Sequence, residues 1–325
     1  MIVHGHELEE ASQGVLRDSK KQRKVVSNEF IHGLQRKHFL LMDVGPLIGT
    51  VVAFYLAYTN ILPFGPVEAI LLGVFWLITG LGVSAGYHRY FTHRSFTASP
   101  VVKSALLIAG AMAGQGGVIS WSALHRRHHE LSDSAGDPHS PNLHGDGFVQ
   151  RVKGFLHSHY TWMFQHDYPN VVHYTPDLIR DKLIVKLDRY YYHWVAIGML
   201  LPGVIAGLYY QSLAGVAGGI LWGGFVRMFL VGNTIWAINS FLHTFGSRRF
   251  NTRDKSRNMG IAGLVTFGES WHNNHHAFPG SASFGLNYKL FDPAYWLISS
   301  LEMIGLVSDV KVPSADRILS KEVQS

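Results

Sequence analysis

The sequence predicts an all-α integral membrane protein with four transmembrane helices in two hairpins and a histidine-rich helical cap on the cytoplasmic side. Three observations support this fold class. Of the 325 residues, 47% are hydrophobic and only 15% are charged, whereas about 25% of the residues in soluble domains are charged. Two long stretches carry almost no charge. The chain has 20 histidines and no cysteine, which excludes thiolate metal sites and cysteine nucleophiles.

The two charge-poor stretches predict the membrane helices. Residues 39–87 contain no Lys or Arg, and no charged residue lies between Arg189 and Arg227. Each stretch is about twice the roughly 20 residues that cross a bilayer as a helix, so each predicts a hairpin. Such runs are too long for pairs of buried helices in a soluble protein. We place the spans near residues 39–59, 67–87, 191–210 and 216–238.

Basic residues predict the orientation. Seven Lys and Arg residues lie between Arg17 and Lys37, before the first span, so the positive-inside rule places both termini and the central segment in the cytoplasm. Residues 1–38 form a basic cytoplasmic segment without a signal-peptide core, residues 39–306 form the four-span domain, and residues 307–325 form a C-terminal tail. The formal charge is +6, but the sequence contains no nucleic-acid-binding motif, so no nucleic-acid partner is expected.

One further apolar segment, residues 101–121, is too short to cross the bilayer twice. A single crossing would separate His88 and His125 by the membrane. We expect the histidines on either side of this segment to belong to one site. We therefore predict an interfacial or re-entrant helix here.

The histidines are concentrated in three clusters. His88 and His93 close the second predicted span, and the other clusters lie at residues 125–129 and 272–276. Both of these have the spacing i, i+3, i+4, which places three imidazoles on one face of a helix. His88 and His93 are five residues apart, so a distorted helix end must bring them together.

A fourth element, Asn239 with His243, lies at the cytoplasmic end of the last predicted span. Imidazole is a neutral ligand for iron, zinc, copper and nickel, and this many histidines imply at least two ions. Clusters at the membrane edge favour lipid or acyl substrates, and oxidation of an unreactive C–H bond needs such a centre because no side chain supplies the oxidising power. The other eleven histidines are predicted not to be ligands, with His159 the least certain.

These motifs resemble the membrane fatty-acid desaturase family, and within it the stearoyl-CoA Δ9 desaturase type. The resemblance is carried by residues 86–96, 121–139, 239–243 and 268–279, in the family's order and spacing, and it covers roughly residues 40–290. It implies a mushroom-like fold whose cytoplasmic cap holds two iron ions, with Asn239 acting on one metal through a water. The implied ligands are His88, His93, His125, His128, His129, His243, His272, His275 and His276.

The resemblance also implies the surroundings of the substrate. Family members thread an acyl chain through a kinked tunnel, and Gln115, Trp121 and Trp236 match positions beside the kink. Arg126 and Arg127, with the basic amino-terminal segment, are expected to contact the phosphates of an acyl carrier or a lipid head group. Three acids are candidate partners for imidazole N–H groups: Asp133, Asp137 and Glu269.

The implied activity is that of an O2-dependent fatty-acyl desaturase, which inserts a cis double bond, at Δ9, with two electrons from an external donor. Acyl-CoA is the favoured substrate, with acyl-lipid and acyl-carrier protein as alternatives. The third cluster, WHNNHH, looks more like bacterial acyl desaturases, which favours a bacterial inner membrane over the endoplasmic reticulum. The chain has no cytochrome b5-like module, so a separate donor of ferredoxin, rubredoxin or cytochrome b5 type is expected.

Two alternatives stay open at this point. A di-iron hydroxylase of lipids, alkanes or sterols uses the same histidine pattern. A metal transporter or haem-binding carrier is a more distant alternative, since its ligands belong near the midplane of the spans. Arg227 lies about 18 Å before Asn239 along the last span. An intramembrane arginine is a functional candidate, with snorkelling or pairing with Asp43 as an alternative of at least equal weight, and we assign it no chemistry.

Overall fold

The computed structural model describes residues 24–164, 166–286 and 291–323. Within these ranges, four helices are long and apolar enough to cross a membrane. We refer to them as the first to fourth spans: Glu29–Tyr58, Pro66–Thr92, Tyr191–Tyr210 and Leu213–Phe241. The mainly helical architecture confirms the predicted fold class.

The spans lie where the charge-poor stretches predict them, and the third has the predicted bounds. The first begins at Glu29 rather than at residue 39, because the helix continues into polar sequence and is capped there. The side chain of Asn28 accepts a hydrogen bond from the backbone N–H of Ile31 at 2.9 Å, which satisfies a donor that the helix leaves unpaired. Of the predicted basic amino-terminal segment, residues 1–23 lie outside the described residues.

The second span ends in a π-helical segment, Gly82–Thr92. The backbone N–H of His93 donates to the carbonyl oxygen of His88 at 3.2 Å, which is the i to i+5 hydrogen bond of a π-helix. This wider turn brings residues five apart onto one face, and the two imidazole centroids lie 5.0 Å apart. The predicted distortion of this helix end is confirmed.

The apolar segment between the second and third spans forms two helices, so the prediction of one helix over residues 101–121 is wrong. Pro100–Ala111 is followed by a break, and Val118–Leu131 carries the second histidine cluster. At the break, Gly116 has a φ of +94°, which glycine adopts without the steric cost of a Cβ. The imidazole centroids of His88 and His125 lie 4.3 Å apart, so the segment does not separate the clusters.

The described chain outside the spans and their two hairpin turns forms the cap. Two short antiparallel strand pairs close it: Val25–Val26 with Tyr168–Pro169, and Thr97–Ala98 with Val307–Ser308. They attach the amino-terminal segment and the C-terminal tail to the cap. Its other helices are Phe148–His159, Val171–Tyr174, Pro176–Arg180, Lys182–Arg189, His272–Ala277, Pro293–Met303 and Ala315–Leu319, with 3-10 turns at Thr161–Met163 and Gly260–Gly263.

Arg227 is fully buried in the fourth span, but the expected ion pair with Asp43 is wrong. Its guanidinium donates to the carbonyl oxygens of Met112 at 2.6 Å and Gly198 at 2.9 Å. The carbonyl of Gly198 lacks its helical donor because residue i+4 is Pro202, which has no N–H. Arg227 therefore satisfies backbone acceptors that helix geometry leaves open.

Candidate metal centre

Nine histidines converge beneath the spans in two groups. Within each group, one ligand nitrogen from every ring lies within 4.8 Å of the others. The first group contains His88, His93, His125, His129 and His275, and the second contains His128, His243, His272 and His276. These are the nine histidines that the family resemblance implies as ligands.

Two helices contribute to both groups. On Val118–Leu131, His125 and His129 join the first group, with Nε2 atoms 2.9 Å apart, and His128 joins the second group. On the helix His272–Ala277, His275 joins the first group, and His272 and His276 join the second. Each helix therefore lies between the two groups, a division that the spacing i, i+3, i+4 does not determine.

The ring nitrogens approach one another as the ligands of a cation do. His275 Nε2 lies 3.0 Å from His88 Nε2 and 2.8 Å from His129 Nε2. With a metal–nitrogen bond of about 2.1 Å, two ligands at right angles are about 3.0 Å apart. The separations therefore match edges of a coordination shell, and the residues fit a metal ion in each group.

Nitrogens without partners support the same conclusion. His93 Nε2, His128 Nε2 and His276 Nε2 are buried and have no hydrogen-bond partner among the described residues. Each such atom costs roughly 1–3 kcal/mol when it stays unpaired. A bound metal ion removes that cost, because it takes the lone pair of the imidazole.

Burial keeps these imidazoles in the form that binds metal. Burial, and then the neighbouring imidazoles, lower the pKa of His125, His129 and His275 well below the ordinary value. Burial also lowers the pKa of His276 to about 4, although its contact with Asp254 opposes the shift. Metals bind the unprotonated ring, so these four ligands are ready for metal at neutral pH.

Four carboxylates contact the ring nitrogens that point away from the two groups. Such contacts fix the tautomer and orientation of a metal-binding histidine. The sequence predicts three of these acids but missed Asp254, which lies in a loop outside every motif. The pairs are Glu269 Oε2 with His88 Nδ1 at 2.5 Å, Asp133 Oδ2 with His243 Nδ1 at 2.8 Å, Asp137 Oδ1 with His128 Nδ1 at 3.0 Å, and Asp254 Oδ2 with His276 Nδ1 at 2.7 Å.

We expect Asp254→Asn to weaken metal binding in the second group about 10- to 100-fold, as is usual when a carboxylate behind a ligand is lost. Burial opposes ionisation of Asp254, but the contact with His276 outweighs it and lowers the pKa of the carboxyl. The amide keeps the shape and removes this charge. Competition with a chelator measures the effect, and Asp316→Asn, at an exposed position, is the control. Equal iron retention in both variants would contradict the assignment.

A cavity of about 370 Å³ reaches the first group of histidines, within the usual size of ligand pockets. The predicted substrate residues Gln115, Trp121 and Trp236, and also Asn239, line it. Trp236 Nε1 donates to Gln115 Oε1 at 3.1 Å. Trp121 stacks on His125 with centroids 5.2 Å apart. The walls of the cavity and the histidines are therefore in direct contact.

Arg126 does not take the predicted position beside a substrate. Its guanidinium donates to both carboxylate oxygens of Asp177, at 2.6 and 2.9 Å, and to the carbonyl oxygens of Phe91, Thr92 and Tyr174. These contacts use all five N–H donors of an arginine. The geometry therefore gives Arg126 a structural role, and it does not support the predicted contact with a phosphate.

Two histidines predicted to be non-ligands lie near the centre. His139 packs on His128 with ring centroids 4.4 Å apart, and His128, Asp137 and His139 form a third set of neighbouring ligand atoms. Because Asp137 already pairs with His128, we treat His139 as part of the wall around the second group. His159 is hydrogen-bonded instead to Ser240, at 2.9 Å.

The model of the fatty acid desaturase family matches residues 60–298, a range that contains all nine histidines. The chain belongs to the fatty acid desaturase family. This desaturase is 47% identical over 317 residues to a hex-5-enoyl-[acyl-carrier protein] acetylenase from Moorena producens (strain JHB), across 97% of this chain and 98% of the relative. It is 35% identical over 246 residues to an sn-1 stearoyl-lipid 9-desaturase from Anabaena variabilis, across 75% and 83% of the two chains. It is 36% identical to Delta-9 acyl-lipid desaturase 1 from Arabidopsis thaliana, across 74% of each chain.

The comparisons confirm the resemblance inferred from the histidine motifs. The desaturase is an oxidoreductase, which excludes the alternative of a metal transporter or haem-binding carrier. Its relatives differ in the position at which they act and in the carrier of the acyl chain, as their names show.

Proposed function

We propose that this desaturase removes hydrogens from two neighbouring carbons of a fatty-acyl chain and leaves a double bond. The observation that carries the proposal is that histidines of both groups line the cavity, His88 and His125 from the first and His272 from the second. Two iron ions bound there, which the donor set fits, supply the oxidising power that side chains lack. Two hydrogen atoms from the acyl chain, one O2, two electrons and two protons give two waters and one C=C bond.

The residues of the chain position the substrate and its surroundings. The hydrogen bond between Gln115 and Trp236 joins two walls of the cavity, and Trp121 contacts the first group of histidines through His125. An acyl chain held between them presents one C–C bond to the metals and excludes water. Asn239 lines the same space, which supports its proposed contact with one metal through a water.

We propose an acyl-carrier protein, rather than coenzyme A, as the carrier of the acyl chain. The relative that matches 97% of this chain acts on such a substrate. Lys37, Lys186 and Arg189 are exposed and are near neighbours in sequence of His38 and Tyr191, which line the cavity. These cations suit the phosphate of the carrier's pantetheine arm and an acidic protein surface.

We propose that the cap and both termini face the cytoplasm of a bacterial cell, and that a separate protein of ferredoxin, rubredoxin or cytochrome b5 type supplies the electrons. The four spans and the positive-inside rule support this orientation, as do the bacterial relatives. The cytoplasm is where soluble acyl carriers and electron donors are found.

The iron-loaded chain in lipid nanodiscs tests the function directly. With reduced ferredoxin, O2 and an acyl-carrier protein substrate, the product should weigh two hydrogens less than the substrate. A product heavier by one oxygen would instead identify the hydroxylase alternative. A product formed only from acyl-CoA or from membrane lipid would overturn the choice of carrier and leave desaturation standing.

Reversal of two of these exposed charges tests the carrier. We expect the double variant Lys186→Glu, Arg189→Glu to raise the KM for the acyl-carrier protein substrate roughly five- to tenfold at low salt, with kcat unchanged, because exposed ion pairs are worth roughly 0.2–1 kcal/mol each and mainly affect association. Arg317→Glu, at an exposed position in the tail, is the control. The same KM in all three proteins would exclude this docking site.

A further inference from the structure

The helix Phe148–His159 of the cap carries its apolar side chains on the surface of the molecule. Phe148 is 82% exposed, Val149 57%, Val152 43% and Leu156 51%. At about 100° of rotation per residue, these four side chains fall within about 100° of the helix circumference. They form one exposed surface, which we call the apolar face.

The opposite side of this helix packs on the protein. Gly154 and Ser158 lie on that side and are buried. A Cβ at Gly154 would lie 2.1 Å from the carbonyl oxygen of Pro141, so the helix makes its close contact with the chain through small residues. A helix on the surface of a soluble domain turns its apolar stripe towards the core. Here the apolar face points away from the core, towards a partner outside the chain.

Hydrogen bonds fix the orientation of the helix. His159 Nδ1 lies 2.9 Å from Ser240 Oγ, and the Tyr160 hydroxyl donates to Asn233 Oδ1 at 2.5 Å. Both partners belong to the fourth span. The helix cannot rotate its apolar face inward without breaking these bonds and the close contact at Gly154.

The apolar face adjoins the exposed surface of the spans. Phe155, at the edge of this face, packs edge-on against Phe241 at the end of the fourth span, with ring centroids 4.9 Å apart. Phe241 is itself exposed, and so is Phe245. In the segment after the helix, the exposed ring of Phe164 packs on Phe39 of the first span, with centroids 5.9 Å apart. The helix therefore links the apolar surfaces of two spans.

Two cations border the apolar face. Arg151 and Lys153 are exposed, and at 100° per residue they lie roughly 40–60° beyond its two edges. From these positions their long side chains reach lipid phosphates while the face between them contacts acyl chains. Apolar residues on one face with Lys or Arg beside them are typical of helices that lie on a membrane. The charges therefore favour a lipid surface as the partner.

We propose that the helix Phe148–His159 lies in the plane of the membrane surface, with its apolar face among the acyl chains and Arg151 and Lys153 at the lipid phosphates. Trp162 and Met163, which follow the helix, line the cavity. Attachment of the helix to the membrane therefore holds this part of the cavity wall at the level of the lipid head groups. The proposal needs neither metal nor substrate, so it is independent of the proposed function.

Single-cysteine labelling tests the position of the helix, because the chain has no cysteine of its own. Val152→Cys places a fluorescent label on the apolar face, and Gln150→Cys places the same label on the polar side. Both proteins are measured as full chains in phosphatidylcholine nanodiscs. Nitroxide-labelled lipid should quench the label at position 152 several times more strongly than the label at position 150, and iodide in the water should do the reverse.

Two results would overturn the proposal. Strong quenching of both labels by iodide would show that the apolar face is in water. Protection of the Val152→Cys label from both quenchers would show that a second copy of the chain, rather than lipid, covers this face.

A charge on the apolar face provides a second test. Val152→Glu, with the label now at Leu156→Cys, should lose most of its quenching by nitroxide-labelled lipid, because a carboxylate is costly to move out of water. Gln150→Glu is the matched control, since it adds the same charge on the polar side of the same helix, and it should keep that quenching. Equal lipid quenching in the two variants would contradict the proposal.

Discussion

Replacing His275 with alanine is expected to remove one of the two iron ions and abolish desaturation. The His275 side chain is fully buried, and its Nε2 lies 3.0 Å from His88 Nε2 and 2.8 Å from His129 Nε2. It therefore joins ligands from two other segments of the chain. Without it, the first group retains four imidazoles, while the second group keeps its full set.

Iron per folded chain, measured by elemental analysis after size-exclusion chromatography, should fall from about two to about one, and unsaturated product should drop below detection. His144→Ala is the control, because His144 is exposed and belongs to neither group. It should retain both ions and full activity. A His275→Ala protein with full iron content and normal product would refute the two-metal assignment.

Arg89→Met is expected to destabilise the protein by about 3–5 kcal/mol, the usual cost of leaving buried carboxylates without their cation. Arg89 is fully buried, with Nη1 2.7 Å from Asp292 and Nη2 3.5 Å from Glu269. It also donates to the carbonyl oxygen of Ala282 at 2.7 Å. Methionine fills much of the volume but pairs with neither acid.

Thermal unfolding in detergent measures this loss, and Arg94→Met is the matched control. Arg94 lies five residues further along, but its side chain is 60% exposed in the ion pair with Asp177, so its loss should change stability by less than about 1 kcal/mol. Because Glu269 also contacts His88, Arg89→Met should lose iron more readily as well. Equal unfolding temperatures for the two variants would show that the buried network does not stabilise the fold.

The membrane helices were predictable from composition. Lipid offers no hydrogen-bond partners, so a spanning segment must be an apolar helix of sufficient length. This constraint acts on every residue in the segment and leaves a signal that can be counted. The ends of the helices are set by other contacts. The first span starts at Glu29 because Asn28 caps it, and the segment from Pro100 breaks near Gly116 because glycine permits the turn.

The candidate metal ligands were predictable because metal binding restricts both residue type and spacing along a helix. The carboxylates that contact these histidines were harder to predict. Asp254 contacts His276 across 22 positions in the sequence, and nothing in its own loop marks it. For Arg126 the sequence suggested a contact that the structure does not show. Its position beside the second cluster suggested a contact with a phosphate. The folded chain uses all of its donors on Asp177 and three carbonyl groups.

By itself, the sequence determined that the chain is a four-span membrane protein, that histidines are its candidate metal ligands and that its motifs are those of the fatty acid desaturase family. The shortage of charge belongs to the two hairpins, and nine of the 20 histidines belong to the two groups. Only the tertiary structure decided how those nine are divided and which acids orient them. These features depend on contacts between distant segments, and local residue patterns carry no record of such contacts.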